Sequence, residues 1–321
     1  MNNKINQKKI IVTGGAGFVG SNLCERLLNE DNIVYCIDNF STGFKENIQH
    51  LMSDRNFHFL EHDITNTIPL EFEGLDEIYN LACPASPVQY QNLSIETLKV
   101  CTYGLFNIID LAMHYNSKIL HTSTSEVYGD PLIHPQNESY WGNVNSFGPR
   151  ACYDEGKRCA EAILYEYKTK HNLDIRIIRI FNTYGPKMDE QDGRVVSNFI
   201  IQALNNLDIT IHGAGSQTRS FQYIDDLVDG MLLIMKNKEK IDTPINLGNP
   251  NEMSIKNLSK TILELIPESK SKIIFQEQSI DDPKRRLPDI ALAEKFLQWK
   301  PKVELKKGLK ETIQYFRDIK K

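Results

Sequence analysis

Three features of this 321-residue sequence predict an α/β protein: a doubly wound parallel sheet followed by a smaller C-terminal α/β lobe. Short apolar runs alternate with amphipathic stretches, a glycine-rich turn follows the first run, and the texture changes near residue 180. The runs are Lys9–Thr13, Ile33–Asp38, Phe57–Leu60, Glu77–Leu81, Lys118–Thr122 and Ile175–Ile180. Each has the length and the β-branched or apolar character of a strand. Helical patterns separate them, beginning with Ser21–Asn29. After about Phe181 the chain becomes richer in Pro, Gly and Asn, with short strands expected at Ile209–His212, Ser220–Ile224 and Ile245–Leu247. The expected organisation is a domain over residues 1–180 and a lobe over 181–321, packed as one unit with a cleft between them. Ligands of such sheets bind at the carboxyl ends of the strands.

Composition excludes several functions. The formal charge of -5, with Lys and Arg spread along the chain, offers no basic footprint for nucleic acid. Met1–Lys9 is polar and runs straight into Ile10-Ile11-Val12, and no stretch of about 20 apolar residues follows. The sequence therefore predicts a soluble cytoplasmic protein without a membrane partner. Its six cysteines form no C-x-x-C pair and no His cluster stands at zinc spacing, so no metal site is expected. Cys152 lacks a supporting His and reads as a packing residue rather than a nucleophile.

The turn Gly14-Gly15-Ala16-Gly17-Phe18-Val19-Gly20 lies between the first strand and the first helix. Gly14 suits the tight turn, Gly17 a close approach of backbone to a pyrophosphate, and Gly20 close packing of helix on strand. A turn of this kind alone can be purely structural. Asp38, which ends the second strand about 20 residues on, adds a carboxylate for ribose hydroxyls that repels a 2′-phosphate, and so predicts NAD rather than NADP. This makes the sheet Rossmann-type. Asn39, Ser41, Thr42 and Gly43 after Asp38, Asp63 and Ile64 after the third strand, and Leu81 and Ala82 after the fourth complete the expected cofactor lining, with Phe18 and Val19 in the turn itself.

Tyr153 and Lys157 are four apart and share a helix face. Roughly one such pair arises by chance among 13 tyrosines, but this one opens the helix that follows the strand carrying Thr124. A free tyrosine titrates near pH 10; Lys157 and a cationic nicotinamide would favour the phenolate, making Tyr153 a base for an alcohol proton. Thr124 would hold the substrate hydroxyl. Both Tyr153 and Lys157 would also touch the cofactor.

The Gly14 turn, the Tyr153/Lys157 pair and Arg179-Ile180-Phe181-Asn182-Thr183-Tyr184-Gly185-Pro186 resemble the extended short-chain dehydrogenase/reductase family, specifically its nucleotide-sugar epimerases, dehydratases and decarboxylases. Further segments are similar to its UDP-glucuronate-decarboxylating, UDP-xylose-forming branch. These are Asn80–Tyr90, Thr122–Pro131, Asp192–Phe199, Gly215–Tyr223 and Asp281–Asp289, and the similarity runs from about residue 8 to 318. The resemblance implies UDP-glucuronate as substrate, oxidised at C4, decarboxylated as a 4-keto uronic acid, protonated at C5 and reduced again, with no net use of cofactor.

The resemblance also implies residue roles. Arg286 would bind the sugar carboxylate; Arg194 and Arg219 would contact uridine or phosphate, with Arg194 and Thr183 also near the cofactor. Pro84, Tyr90, Arg150, Asn182 and Gln217 would complete the substrate site. Ser125-Glu126 stands where 4,6-dehydratases carry an Asp-Glu pair, so the acid that expels water is missing. Glu126 would position the substrate or a water near C5, and Leu287 departs from a basic residue common in relatives. A UDP-glucuronate 4-epimerase, a 4,6-dehydratase and a decarboxylase that stops at the 4-keto pentose or rearranges it to a branched sugar remain the enzyme alternatives, and an NAD-binding sensor or scaffold the non-enzyme one. Apolar stripes on Ile95–His114 and Tyr153–Lys170 either face the sheet or, as the family implies, pair two copies into a homodimer.

Overall fold

The computed structural model describes residues 7–69, 71–277 and 285–320. The first part of the chain runs β1 (Lys9–Thr13), α1 (Phe18–Leu28), β2 (Ile33–Asp38), β3 (Phe57–Glu61), β4 (Glu77–Asn80), α2 (Pro87–Asn92), α3 (Ser94–Lys99), α4 (Leu105–Tyr115), β5 (Lys118–Thr124), α5 (Ala151–His171) and β6 (Ile175–Ile180). A π-helical turn, Val100–Gly104, joins α3 to α4 where the sequence predicts one unbroken helix.

The remainder runs β7 (Thr183–Tyr184), α6 (Val195–Leu204), β8 (Ile209–His212), β9 (Thr218–Ser220), β10 (Gln222–Tyr223), α7 (Ile224–Lys236), β11 (Ile245–Leu247), β12 (Glu252–Ser254), α8 (Ile255–Leu265), β13 (Ile273–Gln276), β14 (Arg285–Arg286), α9 (Ala291–Leu297) and α10 (Leu305–Asp318). The expected strand Ser220–Ile224 divides, because β9 and β10 pair with different neighbours and helix α7 begins at Ile224. Asp225 and Asp226 in the first turn of α7 favour that start by complementing the helix dipole.

Seven parallel strands form the main sheet in the order β11-β6-β5-β4-β1-β2-β3. The direction of winding reverses between β1 and β4, the switch point at which such sheets take ligands. Thr13 holds that point together: its Oγ1 donates to Asn80 Oδ1 (2.8 Å) and accepts from the backbone N–H of Leu81 and Ala82. Alternation along β1 sets the two layers. Ile10 and Val12 face a core with Leu23 and Leu27 of α1 and Met231 of α7, whereas Ile11 faces Leu105 and Ile108 of α4 and Leu164 of α5.

The later part of the chain is not walled off from this sheet. Strand β11 extends it beyond β6, and the first core continues without interruption into Phe199, Leu258 and Leu309 of α6, α8 and α10. Three small sheets complete the lobe: β10-β7, β12-β9-β14 and β13-β8. In the second of these β14 runs parallel to β9, with Arg286 opposite Arg219.

Candidate functional site

The glycine turn is shaped by close approach. Gly14 has φ +67°, and a Cβ there would lie 2.9 Å from backbone atoms of Ala82; a Cβ on Gly20 would lie 2.1 Å from the Gly14 carbonyl oxygen. Both contacts are with backbone, so no side chain can move aside to relieve them. Gly17 is the N-cap of α1 and uses no side chain to cap it, so the first amides of the helix stay available to an anion.

Asp38 is buried, with one oxygen accepting from Ala16 N (2.9 Å) and the other from Phe40 N (2.8 Å). Burial pushes its carboxyl upward while these amides oppose the shift. Asn47, which the sequence reading missed, donates to the Ala16 carbonyl and braces the turn from the far side. Its position after a loop of no regular spacing carried no signal.

A cavity of about 290 Å³ opens along the switch point. It is lined by Gly14, Gly17, Phe18, Val19, Gly20, Asp38, Asn39, Ser41, Thr42, Gly43, Asp63, Ile64, Leu81 and Ala82, all expected on the cofactor side, and also by Pro84 and Arg194. Asp63 is partly buried, which opposes ionisation, but bonds from Thr65 lower its pKa overall. Thr183 does not line the cavity; its hydroxyl donates to Phe181 O and accepts from Gln222. The cradle that a Cβ would fill, together with the carboxylate at the end of β2, suits a dinucleotide.

Strand β5 ends at Thr124, whose hydroxyl accepts the Glu126 amide (3.2 Å) and so turns the chain into a 3-10 turn over Ser125–Tyr128. Thr124 also hydrogen-bonds Tyr153. Lys157 lies one turn along α5 and donates to Thr122 O (2.8 Å). The ring of Tyr153 stacks on Tyr90, 4.8 Å between centroids and parallel within 1°. Tyr90 therefore props the phenol, and its own hydroxyl is buried with no partner among the described residues. The sequence reading expects Lys157 to draw the Tyr153 phenol downward. Among the protein's own groups burial dominates, followed by Cys83, and pushes it up, while Thr124 and Arg194 oppose.

Next to this pair lies a charge cluster of buried Arg286 with half-buried Glu126 and Arg150. Arg286 grips Glu126 with both terminal nitrogens, at 2.6 and 2.8 Å, and Arg150 adds a third bond at 2.7 Å. Burial would raise the Glu126 carboxyl, but the two guanidiniums prevail and hold it near about 2. Arg286 thus points at Glu126 in this structure. It reaches there because the segment after it is clipped to the loop before α5: Gln136 N donates to Leu287 O, Leu287 N to Gln136 Oε1 and Asp289 N to Gln136 O, each at 2.8 Å. The backbone of Leu287 makes this clip, so its departure from a basic residue leaves the contact intact. Asp281–Lys284 lie outside the described residues.

The remaining expected substrate residues divide. Arg219 is buried beside Arg286, and Arg194 sits at the N-cap of α6 with its Nε 3.3 Å from Asp192. Gln217 donates to His212 O and Asn182 is half-buried at the end of β6. Arg179 serves the fold: it holds Glu161 of α5 at 3.0 and 2.7 Å and so fixes the helix that carries Tyr153. Two groups went unnoticed in the sequence. Cys83 lines the cavity with its sulfur 3.6 Å from Cys101, and Asp154 is buried one residue from Tyr153.

A glycine cradle, a buried carboxylate ending β2 and a Tyr-x-x-x-Lys helix at the same edge of a parallel sheet define a short-chain dehydrogenase/reductase. Comparison with known proteins refines the class. The family model described as GDP-mannose 4,6 dehydratase matches residues 11–312, and the chain belongs to that family, within its UDP-glucuronic acid decarboxylase branch. UDP-glucuronic acid decarboxylase 1 of Xenopus tropicalis is 48% identical over 311 residues, 97% of this chain and 72% of its own length. UDP-glucuronic acid decarboxylase 3 of Arabidopsis thaliana is 49% identical over 310 residues, 96% of this chain and 89% of its own. Among solved structures, the UDP-glucuronic acid 4-epimerase of Bacillus cereus in complex with UDP-glucuronic acid and NAD superposes with a TM-score of 0.87 at 29% identity, covering 97% of this chain and 99% of that one. An epimerase of Methanothermobacter thermautotrophicus gives 0.90 at 27%, covering 97% and 93%.

Proposed function

We propose that this protein is an NAD-dependent UDP-glucuronate decarboxylase that forms UDP-xylose. The observation that carries the reading is the pair of guanidiniums, half-buried Arg150 and buried Arg286, beside the Thr124–Tyr153 hydroxyl pair. Two guanidiniums against the single gripped carboxylate of Glu126 leave cationic charge that a uronate carboxylate matches and a neutral hexose does not. The relatives' names point the same way.

The cofactor would lie along Gly14–Gly20, Asp38 and Leu81–Ala82, and when bound it supplies the hydride acceptor for C4, a cationic ring that favours the phenolate, and the hydride that is later returned. Tyr153 takes the proton of the sugar 4-hydroxyl, which Thr124 orients. Lys157, fixed by Thr122 O, stands one helical turn away as a cation for the same site. Loss of CO2 then leaves an electron pair at C5 that spreads onto the 4-keto oxygen, so no acid is needed to expel a leaving group. Ser125, where a dehydratase would need an acid, is compatible with this course. Glu126, ionised between two arginines, orients Arg286 and in that pairing has no proton to give C5. Arg194, Arg219 and Gln217 are proposed to hold the UDP portion, on the lobe over 181–321, with Pro84, Tyr90, Arg150 and Asn182 around the sugar.

A homodimer is part of the proposal. Helices α4 and α5 bury one apolar stripe against the sheet, yet α3, the π turn and these two helices leave Ile95, Leu98, Tyr103, Phe106, Met113 and Tyr165 exposed. These are helical faces suited to a second copy. A cytoplasmic location is proposed on the six free thiols; no helix of the described residues is long and apolar enough to cross a membrane.

The test is NMR analysis of products after incubation with UDP-glucuronate and NAD+. UDP-xylose and CO2 are expected; a UDP-4-epimer or no product overturns the assignment. Tyr153→Phe should lose about 10²–10⁴-fold in turnover while still binding NAD, which a sensor or scaffold would not show.

A further inference from the structure

Asp154 is the one carboxylate of the cluster that no guanidinium grips. It follows Tyr153 on the first turn of α5 and is 6% exposed. Its Oδ2 lies 4.0 Å from Arg150 Nε, beyond hydrogen-bond reach, and its Oδ1 is shut off from solvent with no hydrogen-bond partner among the described residues. Glu126 takes what Asp154 lacks, all three short guanidinium bonds. Burial and the neighbouring Glu126 charge raise the Asp154 carboxyl to about 7, with Arg150 and Arg286 only partly offsetting them. Two carboxylates in one cluster are thus driven apart, one permanently ionised and one poised.

The charges that face Asp154 are Glu126 from the 3-10 turn, Arg286 from β14, and Arg150 and Glu155 from its own helix and cap. The neutral groups are Tyr90 from α2 and Cys152. Glu155 is engaged by Arg158 (3.4 Å). Within the cluster two guanidiniums therefore balance two carboxylates when Asp154 is ionised. A ligand carboxylate brought to Arg286 makes a third anion against two cations in a nearly dry site, and such an excess is costly. The excess is removed if one carboxylate takes a proton, and Asp154, with only the 4.0 Å ion pair to Arg150 and no guanidinium hydrogen bond among the described residues, is the one held less firmly ionised.

We propose that Asp154 is a specificity-determining residue that takes up one proton from solvent when a uronate binds at Arg286, and returns it when a ligand without that carboxylate takes its place. The proposal rests on the decarboxylase reading for the identity of the ligand. It makes selection between acidic and neutral UDP-sugars depend on pH. Affinity for the uronate is full while Asp154 is protonated and falls as pH rises through its pKa in the free protein; affinity for a neutral UDP-sugar does not follow.

Calorimetric titration tests this with NAD-bound protein carrying Tyr153→Phe to prevent turnover, in two buffers of different ionisation enthalpy near pH 7.5. UDP-glucuronate should bind with uptake of roughly half a proton to one proton and UDP-glucose with none. Adding Asp154→Asn should abolish the uptake while UDP-glucuronate still binds. In the active enzyme KM for UDP-glucuronate should rise about tenfold per pH unit above pH 7.5, whereas Asp154→Asn should give a flat profile, which loss of a merely structural carboxylate would not. Equal uptake with both ligands, no uptake with either, or uptake that survives Asp154→Asn overturns the proposal. Should Asp154→Asn fail to fold, the two-ligand comparison decides alone. Decarboxylation without linked proton uptake defeats Asp154 and spares the functional reading; absence of UDP-glucuronate binding defeats both.

Discussion

The cofactor cradle and the carboxylate–guanidinium cluster sit at neighbouring strand ends, yet they are built on opposite principles. The cradle is local and made of backbone: Gly14, Gly17 and Gly20 act through the side chains they lack, and Asp38 completes them from the adjacent strand. The cluster is assembled from distant segments, Glu126 after β5, Arg150 before α5 and Arg286 on β14, and acts through paired charges. The cradle therefore fails by steric exclusion, and the cluster by leaving a buried charge alone.

Breaking the cradle should have the largest effect. Gly20→Ala places a methyl group 2.1 Å from the Gly14 carbonyl oxygen, and its nearest neighbours are all backbone atoms of Gly14 and Gly15. A loss above about 4 kcal/mol is expected in denaturant unfolding, or failure to recover folded protein. A variant that unfolds like the parent would mean that the turn has room to shift. In the cluster, Arg286→Ala removes two of the three bonds to Glu126. It should cost roughly 3–5 kcal/mol and abolish UDP-glucuronate turnover, whereas Glu126→Gln with Arg286→Ala should recover part of the stability. If the double substitution were no more stable than the single, charge isolation would not be the cause.

A smaller effect tests the clip that delivers Arg286. Gln136→Ala leaves Leu287 N without its acceptor, and about 1–3 kcal/mol is expected, with KM for UDP-glucuronate raised more than KM for NAD. The smallest change concerns acid–base behaviour. Glu126 is held near about 2, so its folded pKa is depressed and the stability it contributes is present above the unfolded pKa and lost as pH falls through about 2. Lowering the pH from 8 to 5 should therefore leave Glu126 ionised, so any activity break in that range belongs to another group, and one set by Asp154 should vanish with Asp154→Asn while the Glu126–Arg286 pair is kept. A Glu126 carboxyl that itself titrates between pH 8 and 5 in NMR would contradict this.

Legibility followed the same division. The bounds of β1, β2 and β6 coincide with the expected runs because these parallel strands are dominated by β-branched and apolar residues and flanked by turn residues. The strand expected at Ser220–Ile224 was misdrawn for the opposite reason: the lobe strands are two to four residues long and are defined by their partners. The interruption of Ile95–His114 by a π turn had no periodic signature; there the chain meets Ile64 so closely that a Cβ on Gly104 would lie 3.0 Å from it. Tyr90, expected as a sugar contact, also stacks on the Tyr153 ring, which its place in the sequence does not announce. Arg179, noticed inside a family motif, anchors α5 through Glu161.

The sequence by itself determined the parallel sheet, the glycine cradle with Asp38, and the Thr124, Tyr153 and Lys157 set. Each of these follows from backbone conformation, strand alternation or helical spacing over a few residues. Only the tertiary structure decided that Glu126 is gripped by Arg286 across 160 positions, that Tyr90 backs Tyr153, and that Asp154 is buried without a guanidinium of its own. Those outcomes depend on which segments the β9–β14 pairing and the Gln136 clip bring together, and on how much water the packing removes. Charge state and partner choice are set by that surrounding space, which no local pattern of residues records.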